Sequence, residues 1–244
     1  MKYEIADSGV VLYIDENKDE YIIEKTVFES SFNEEAFFKL LKKIVKGHSN
    51  KKIEYYLKSD TPAYKSVIKI LKGEGFIKKL KKIVFTKEIE KQEPIKKIKF
   101  KSLDKVDKKM FFKVYLDCIM SSEDRDLKED KKDPKMGFKK ILNHKVKKWN
   151  LLAFDKREVI GLLILQEYGT YYSINLISTT PKYRGRGYAN LLLQKAELEF
   201  LKDGKNKKWL GSTDEKNKPM IKSFEKYGFK KVRDLYCFIR RPSS

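Results

Sequence analysis

Apolar positions in this chain recur at two periods, and the switches between them mark out the elements. From residue 95 the pattern predicts a strand (95–103), an amphipathic helix (107–120), a charged loop and a short helix (134–142). Two apolar runs (149–154 and 159–167) then flank Asp155, Lys156, Arg157 and Glu158, which suits a hairpin, and a third strand (171–179) follows the turn at Gly169. Ala189, Leu192, Leu193, Ala196 and Phe200 form one stripe at spacings of three and four that breaks at Asp203 and Gly204. A short strand (209–213), a helix opened by Pro219 and closed by Gly228 (219–227), and a last strand (232–240) complete the order βααβββαβαβ.

The first part of the chain reads strand (21–28), helix (34–45), strand (53–57), helix (63–71), strand (80–85), the same succession in shorter form. A shift of 153 residues lays Gly75 and Phe76 on Gly228 and Phe229, Lys78 on Lys231 and Phe85 on Phe238, and a shift of 154 lays Asp60 on Asp214. This is the signature of a diverged duplication whose first copy has no room for the two early helices. The polar stretch Ile89, Glu90, Lys91, Gln92, Glu93, Pro94 makes the seam, so two domains are expected, 1–93 and 94–244.

With 244 residues, 41% of them hydrophobic and 13% aromatic, the chain can bury a core in each half and is not a disordered one. The formal net charge of +21 would draw phosphates, nucleic acid or anionic surfaces. Lysine rather than bidentate arginine dominates it, which fits a solvated surface and leaves nucleic acid as an open alternative. No apolar run approaches the roughly 18 residues of a membrane span, and Met1, Lys2, Tyr3 and Glu4 do not begin a secretion signal. A cytoplasmic protein without a membrane partner is expected. Cys118 and Cys237 match no paired-ligand spacing, and His48 and His144 are the only histidines, so reduced thiols and no metal site are expected. Nothing in the sequence speaks to oligomeric state.

The most specific segment is Pro181, Lys182, Tyr183, Arg184, Gly185, Arg186, Gly187, Tyr188, Ala189, between an apolar strand and an amphipathic helix. Two glycines let the backbone adopt conformations closed to other residues, and a helix start leaves four N–H groups without internal partners. A diphosphate seated there gains charge-assisted bonds and the favourable end of the helix dipole, with Arg184 and Arg186 as further cations.

Arg184, Gly187 and Ala189 in this spacing, followed by Leu191, Leu192 and Leu193, resemble the coenzyme A loop of the GNAT superfamily of N-acetyltransferases. Asn217 opening a helix that ends in Tyr227, Gly228 and Phe229 is similar to the family's later signature, and the resemblance covers roughly 94–240. It implies an α/β fold with a mixed, splayed sheet, helices on both faces, and acetyl-CoA as cosubstrate in the V between two central strands. The pyrophosphate would lie on Arg184, Gly185, Arg186, Gly187, Tyr188, Ala189 and Asn190. The backbone of Ile177, Ser178 and Thr179 would pair with the pantetheine arm, and Asn217 and Phe224 would also face the cofactor. In the first half Ser30, Ser31, Phe32, Asn33, Glu34 and Glu35 occupy the corresponding loop, without glycine. Ser31 and Glu34 can form a capping box there, and two carboxylates replace the phosphate, so this copy is expected to be degenerate.

Acyl transfer from a thioester to an amine needs a neutral nucleophile, a stabilised oxyanion and a route for the thiolate to leave. In the resembled family a tyrosine four residues before the final Gly-Phe pair, at the position of Phe224 here, often protonates the sulfur. Tyr227 is the substitute candidate, although it also reads as an aromatic on the buried helix face. Glu167 and Asp214, each ending a strand beside the expected cleft, are the candidate bases. The loop 121–135 mixes Glu123, Asp124, Asp126, Glu129, Asp130 and Asp133 with Arg125, Lys128, Lys131 and Lys132. It reads as self-neutralised and mobile, with a hold on a cationic amine as the alternative. The expected activity is direct transfer in a ternary complex to a primary amine of a small molecule, peptide or protein. The alternatives are a nucleic-acid- or ribosome-binding module on this scaffold and a coenzyme-A-binding pseudoenzyme.

Overall fold

Val10, Leu12 and Ile14 lie on one side of a strand and meet the buried side chains of two helices, and this contact organises the first part of the computed structural model. Residues 1–242 are described apart from 17, 19, 30, 91, 96, 144, 145, 206 and 207, so Ser30, Lys91 and His144 lie outside the described residues. The chain divides into two units, Met1–Ile83 with Arg233–Ser244 and Val84–Val232.

The first unit contains β1 (Lys2–Asp7), β2 (Val10–Glu16), β3 (Glu20–Phe28), α1 (Glu34–Gly47), β4 (Lys52–Lys58), α2 (Tyr64–Gly73) and part of β5 (Ile77–Lys87). Its strand order is β1-β2-β3-β4, then a segment of the last strand, then β5. Strands β1 to β3 are antiparallel and β3 pairs β4 in parallel. Tyr21, Ile23, Ile53, Tyr55 and Leu57 pack on Phe37, Leu40, Leu41 and Ile44 of α1 and on Val67 and Leu71 of α2. Each such large side chain contributes about 1.5–3 kcal/mol when fully buried. Strands β1 and β2 are additions to the elements that the periodicity predicts. The turn joining them places Ser8 and Gly9 at φ +49° and +79°, and β1 is mostly exposed, so its apolar signal is weak.

The second unit continues with β6 (Lys99–Ser102), α3 (Lys108–Met120), α4 (Lys128–Lys132), α5 (Pro134–Leu142), β7 (Asn150–Asp155), β8 (Glu158–Tyr168) and β9 (Tyr171–Thr179). It ends with α6 (Tyr188–Asp203), β10 (Lys208–Asp214), α7 (Lys218–Lys226) and the start of β11 (Lys230–Arg240). Its strand order is β5-β10-β9-β8-β7-β6. One sheet face, with Leu152, Leu162 and Ile164, packs on Phe111, Tyr115 and Cys118 of α3 and Phe138 of α5. On α6, Phe200 stacks on Tyr172 of β9 at 4.4 Å and meets Trp149 and Trp209 edge-on. The strand expected over 95–103 contracts to β6. The charged loop contains a 3-10 turn, Arg125–Leu127, and the one-turn α4.

The succession β1-β2-β3-α1-β4-α2-β5 is repeated by β7-β8-β9-α6-β10-α7-β11. The shared Gly-Phe pair has one physical cause in both. Gly75 and Gly228 end their helices at φ +80° and +90°, and the following Phe76 and Phe229 N–H groups donate to Leu71 O at 2.9 Å and Phe224 O at 3.0 Å. Both copies also carry a bulge just past their parallel-paired positions, at Glu24 on β3 and at Asn175 on β9. Counterparts of α3, α4 and α5 are absent among the described residues of the first unit.

Candidate functional site

Strands β9 and β10 pair in parallel at only three positions, Tyr171 with Lys208, Tyr172 with Trp209 and Ser173 with Leu210. β9 then runs on to Thr179 and β10 to Asp214, so the two diverge and leave backbone groups facing a wedge. The Asn175 bulge bends β9 where the divergence begins. On the other edge of β9, Gly161 of β8 permits an unusually close approach, because a Cβ there would lie 2.4 Å from the Ser178 carbonyl oxygen.

The turn from β9 into α6 is built by Gly185 and Gly187 at φ +74° and +79°. Gly187 is the N-cap and brings no side chain to its own helix start, and α6 has no acidic residue in its first turn. The Tyr188 hydroxyl donates to Asp155 at 2.5 Å and its ring meets Tyr183 edge-on, which fixes the loop from behind. Arg184 donates to Ser121 O at 2.7 Å and Ser121 Oγ at 2.6 Å, and Arg186 lies over the Tyr183 ring. A cleft of about 380 Å³ runs between these parts, lined by Ser121, Ser122, Ile177, Ser178, Thr179, Arg184, Gly185, Ala189 and Asn217. Its lining leaves out Arg186, Gly187, Tyr188, Asn190 and Phe224. The Phe224 ring is buried in the core, 5.2 Å from Phe85 and 4.8 Å from Phe229, under Gly211, where a Cβ would lie 2.7 Å from it.

The three acid–base candidates are not brought together. Glu167 lines a second cavity of about 650 Å³ with Tyr115, Asp126, Asp130, Ile164, Asn175 and Leu176, and both its oxygens accept from Lys205 Nζ, at 2.9 and 3.0 Å. Asp214 is fully buried and accepts from Arg125 Nε at 2.6 Å, Arg125 Nη2 at 2.7 Å and the Lys216 N–H at 2.9 Å. Burial pushes this carboxyl up, and the Arg125 bonds outweigh it and hold it below the usual carboxylate range. Tyr227 donates to Glu197 Oε2 at 2.7 Å, and that buried carboxylate also accepts from Lys87 Nζ at 2.9 Å. Burial and then Glu197 raise the Tyr227 phenol far above its ordinary value, and neither cavity includes it.

The charged loop departs from its expected mobility. Asp124 accepts from Thr213 Oγ1 at 3.0 Å and Asn217 Nδ2 at 3.4 Å, and Arg125 holds Asp214, so the loop is pinned to the end of β10 and the start of α7. Balancing opposite charges within the loop could not show this, because the partners are 89 and 93 residues away.

Residues 111–229 match the acetyltransferase (GNAT) family. That stretch is a GNAT acetyltransferase domain. Acyl transfer is the general activity of that family. No curated protein matches the chain. Among solved structures, the GCN5-related N-acetyltransferase from Sphaerobacter thermophilus is similar over 97% of this chain and 78% of its own, with a TM-score of 0.67 and 14% identity. A GCN5-related N-acetyltransferase from Kribbella flavida is similar over 100% and 90%, with a TM-score of 0.66 and 8% identity. A tandem GNAT protein of the clavulanic acid biosynthesis pathway is similar over 96% and 79%, with a TM-score of 0.61 and 10% identity. The GNAT fold, α/β with a mixed sheet, therefore spans nearly the whole chain.

The first GNAT-like copy keeps the splay. β3 and β4 pair in parallel from Glu20 with Lys52 to Ile23 with Tyr55, and beyond this Thr26 Oγ1 and Tyr55 Oη share a hydrogen bond of 2.5 Å. Phe28, Phe32, Phe37 and Tyr55 pack ring against ring, with centroids 5.0 to 6.3 Å apart. The helix cap differs from the expected Ser31–Glu34 box. Asn33 is the N-cap and its side chain accepts the Ala36 N–H at 3.0 Å, because the helix begins at Glu34 and places Asn33 in reach of the third amide. Glu34 and Glu35 occupy the first turn as the sequence implied.

Proposed function

We propose that the chain transfers an acetyl group from acetyl-CoA directly to a primary amine in a ternary complex, with 94–244 as catalytic domain and 1–93 as a degenerate copy that binds no coenzyme A. The observation that carries this is the early end of β9–β10 pairing beside a helix start capped by Gly187. The donor set fits the cofactor: backbone amides for an amide-bearing arm, and a glycine-built helix terminus for a diphosphate. Ile177, Ser178 and Thr179 hold the pantetheine arm like an added strand. The loop 184–190 holds the pyrophosphate, with Arg184 giving up Ser121 for a phosphate oxygen. When bound, acetyl-CoA supplies the acyl group as a thioester.

The acceptor enters by the second cavity, whose lining follows that of the cofactor cleft along β9: Asn175 and Leu176 line one and Ile177 to Thr179 the other. Simultaneous access from two cavities is what direct transfer requires. Glu167 takes the amine proton, directly or through water. Asp214, held by Arg125, keeps its charge as a structural group. Tyr227 keeps its proton on the Glu197 side, so the sulfur leaves without it, which a thiol pKa near about 8.5 permits. Cys118 and Cys237 are buried free thiols, in keeping with a cytoplasmic setting. Among the described residues no helix is long and apolar enough to cross a membrane.

The test is calorimetry with acetyl-CoA, followed by thiol release across polyamines, amino sugars, peptide N-termini and lysine peptides. Binding with release in one amine class is the expected result. Absence of acetyl-CoA binding would overturn the reading, and binding without release would leave a pseudoenzyme.

A further inference from the structure

The segment from Ser121 to Asp130 touches both cavities. Ser121, Ser122 and Glu123 line the cofactor cleft, and Asp126, Leu127 and Asp130 line the second cavity. Between these two sets lie Asp124 and Arg125, the two residues pinned to β10 and α7. Arg125 is the stronger pin, because its guanidinium meets both oxygens of one fully buried carboxylate in the fork geometry that lysine cannot reproduce. Asp124 adds bonds from Thr213 and Asn217, and it accepts the Asp126 N–H at 2.9 Å, which starts the turn leading into α4. Farther along, Asp130 accepts from Tyr115 Oη at 3.0 Å. This contact is possible because residue 137 of α5 is glycine: a Cβ there would lie 2.3 Å from that hydroxyl oxygen and 2.8 Å from Asp130 Cγ. The cofactor end of the segment is held separately, by Arg184 on Ser121.

We propose that Arg125 is a positioning residue which, through Asp214, holds this segment as one wall shared by the cofactor and acceptor sites and so sets the acceptor site in register with the thioester. The inference rests on the proposed acyltransferase function. Arg125 touches neither reactant in this arrangement; it acts through the residues on either side of it. Its loss should therefore free the acceptor-side residues 126–130 and the cofactor-side residues 121–123 together. The main cofactor contacts, on β9 and on the loop 184–190, lie on the opposite wall and should stay.

The experiment compares full-length wild type, Arg125→Gln and Arg125→Lys. Hydrogen exchange is read with and without saturating coenzyme A, coenzyme A affinity by calorimetry, and thiol release from acetyl-CoA with spermidine as the probe amine. In Arg125→Gln, exchange should accelerate by about tenfold or more at both 121–123 and 126–132, with β9 and α6 unchanged. The Kd for coenzyme A should change by less than about threefold, while the KM for spermidine rises by about tenfold at nearly constant kcat. Arg125→Lys should restore part of the protection and part of the KM. Should spermidine not be turned over by wild type, the exchange pattern and the Kd decide. Faster exchange confined to 124–126, or spread through β9 and α6 as a general loosening, overturns the proposal. Failure of wild type to bind coenzyme A instead sinks the acyltransferase function, and the exchange pattern still judges the hold of Arg125 on its segment.

Discussion

Replacing Gly161 by alanine tests the cofactor wall without touching any residue that would meet the cofactor. The added Cβ would stand 2.4 Å from the Ser178 carbonyl oxygen and 3.1 Å from the Thr179 Cα. The first distance is about 1 Å short of ordinary contact. The obstacle is backbone, so no rotamer change relieves it, and β9 must move away from β8 toward the wedge. Gly161 is not among the positive-φ glycines, so alanine by itself would stabilise by about 0.4–1 kcal/mol through the unfolded chain. The clash opposes this with an overpacking cost of about 1–3 kcal/mol. The net loss should lower the Tm by several degrees, at about 2–4 °C per kcal/mol for a domain of this size. A displaced β9 should also lose at least one backbone bond to the pantetheine arm. At about 0.5–1.5 kcal/mol per bond, the Kd for coenzyme A should weaken by about 2- to 12-fold. Thermal unfolding and calorimetry on the same preparation read both effects. Lower stability with wild-type affinity would refute the assignment of β9 as the cofactor wall, and no change in either would refute the close approach itself.

Arg184→Ala should weaken coenzyme A binding by about 10- to 100-fold, the worth of a charged hydrogen bond of about 1.5–3 kcal/mol, and calorimetry will show whether it does. Phe37→Ala in the first copy should cost about 3–5 kcal/mol in urea unfolding, while the calorimetric stoichiometry for coenzyme A stays at one per chain. Acid should destabilise the protein through Asp214 and Glu16: burial raises the first and Arg125 more than offsets it, and the Lys51 bond lowers the second. Both groups bind protons more weakly when folded, so their stabilisation is complete above the ordinary carboxyl range of about 3.9–4.3 and is lost as pH falls through the lower folded values. Urea midpoints from pH 7 down to pH 3 should fall more steeply for wild type than for Asp214→Asn.

Local chemistry made the turn and the helix caps of the candidate site legible. The Gly185–Gly187 turn, the Asn217 cap and the helix-ending Gly228 are short-range devices whose residue types state their geometry, and each sits where the pattern put it. The partners of charged groups were not legible in the same way. Asp214 reads as a strand-end carboxylate until Arg125, 89 residues earlier, is seen to meet both its oxygens. Tyr227 reads as a candidate acid until its hydroxyl is seen to donate to the buried Glu197, which holds the proton on the phenol. Gly161 carried a signal of another kind, an isolated glycine inside an apolar strand, which points to close backbone approach. Asn175 carried none, because a bulge is set by the pairing of two strands and not by the residue that occupies it.

The two copies separate what the fold supplies from what a site requires. Both split their parallel strands, both bulge the first of those strands at the split, and both end the second helix of the repeat on a Gly-Phe turn. The splay is therefore a consequence of topology that either sequence can maintain. The copies differ in the loop and helix start beyond the split. Gly185 and Ala189 line a cleft in one, beside a helix start capped by Gly187, while in the other Phe28, Phe32 and Phe37 pack together, with Asn33 as cap and Glu34 and Glu35 at the helix start. A split sheet left empty would expose unpaired backbone and apolar side chains, so each copy must either admit a ligand or fill itself. On the proposed function, the aromatic cluster of the first copy stands in for the cofactor that the second would admit. Opening it by truncation should cost stability and yield no second binding site, because the Glu34 and Glu35 carboxylates would still repel a phosphate at the helix start.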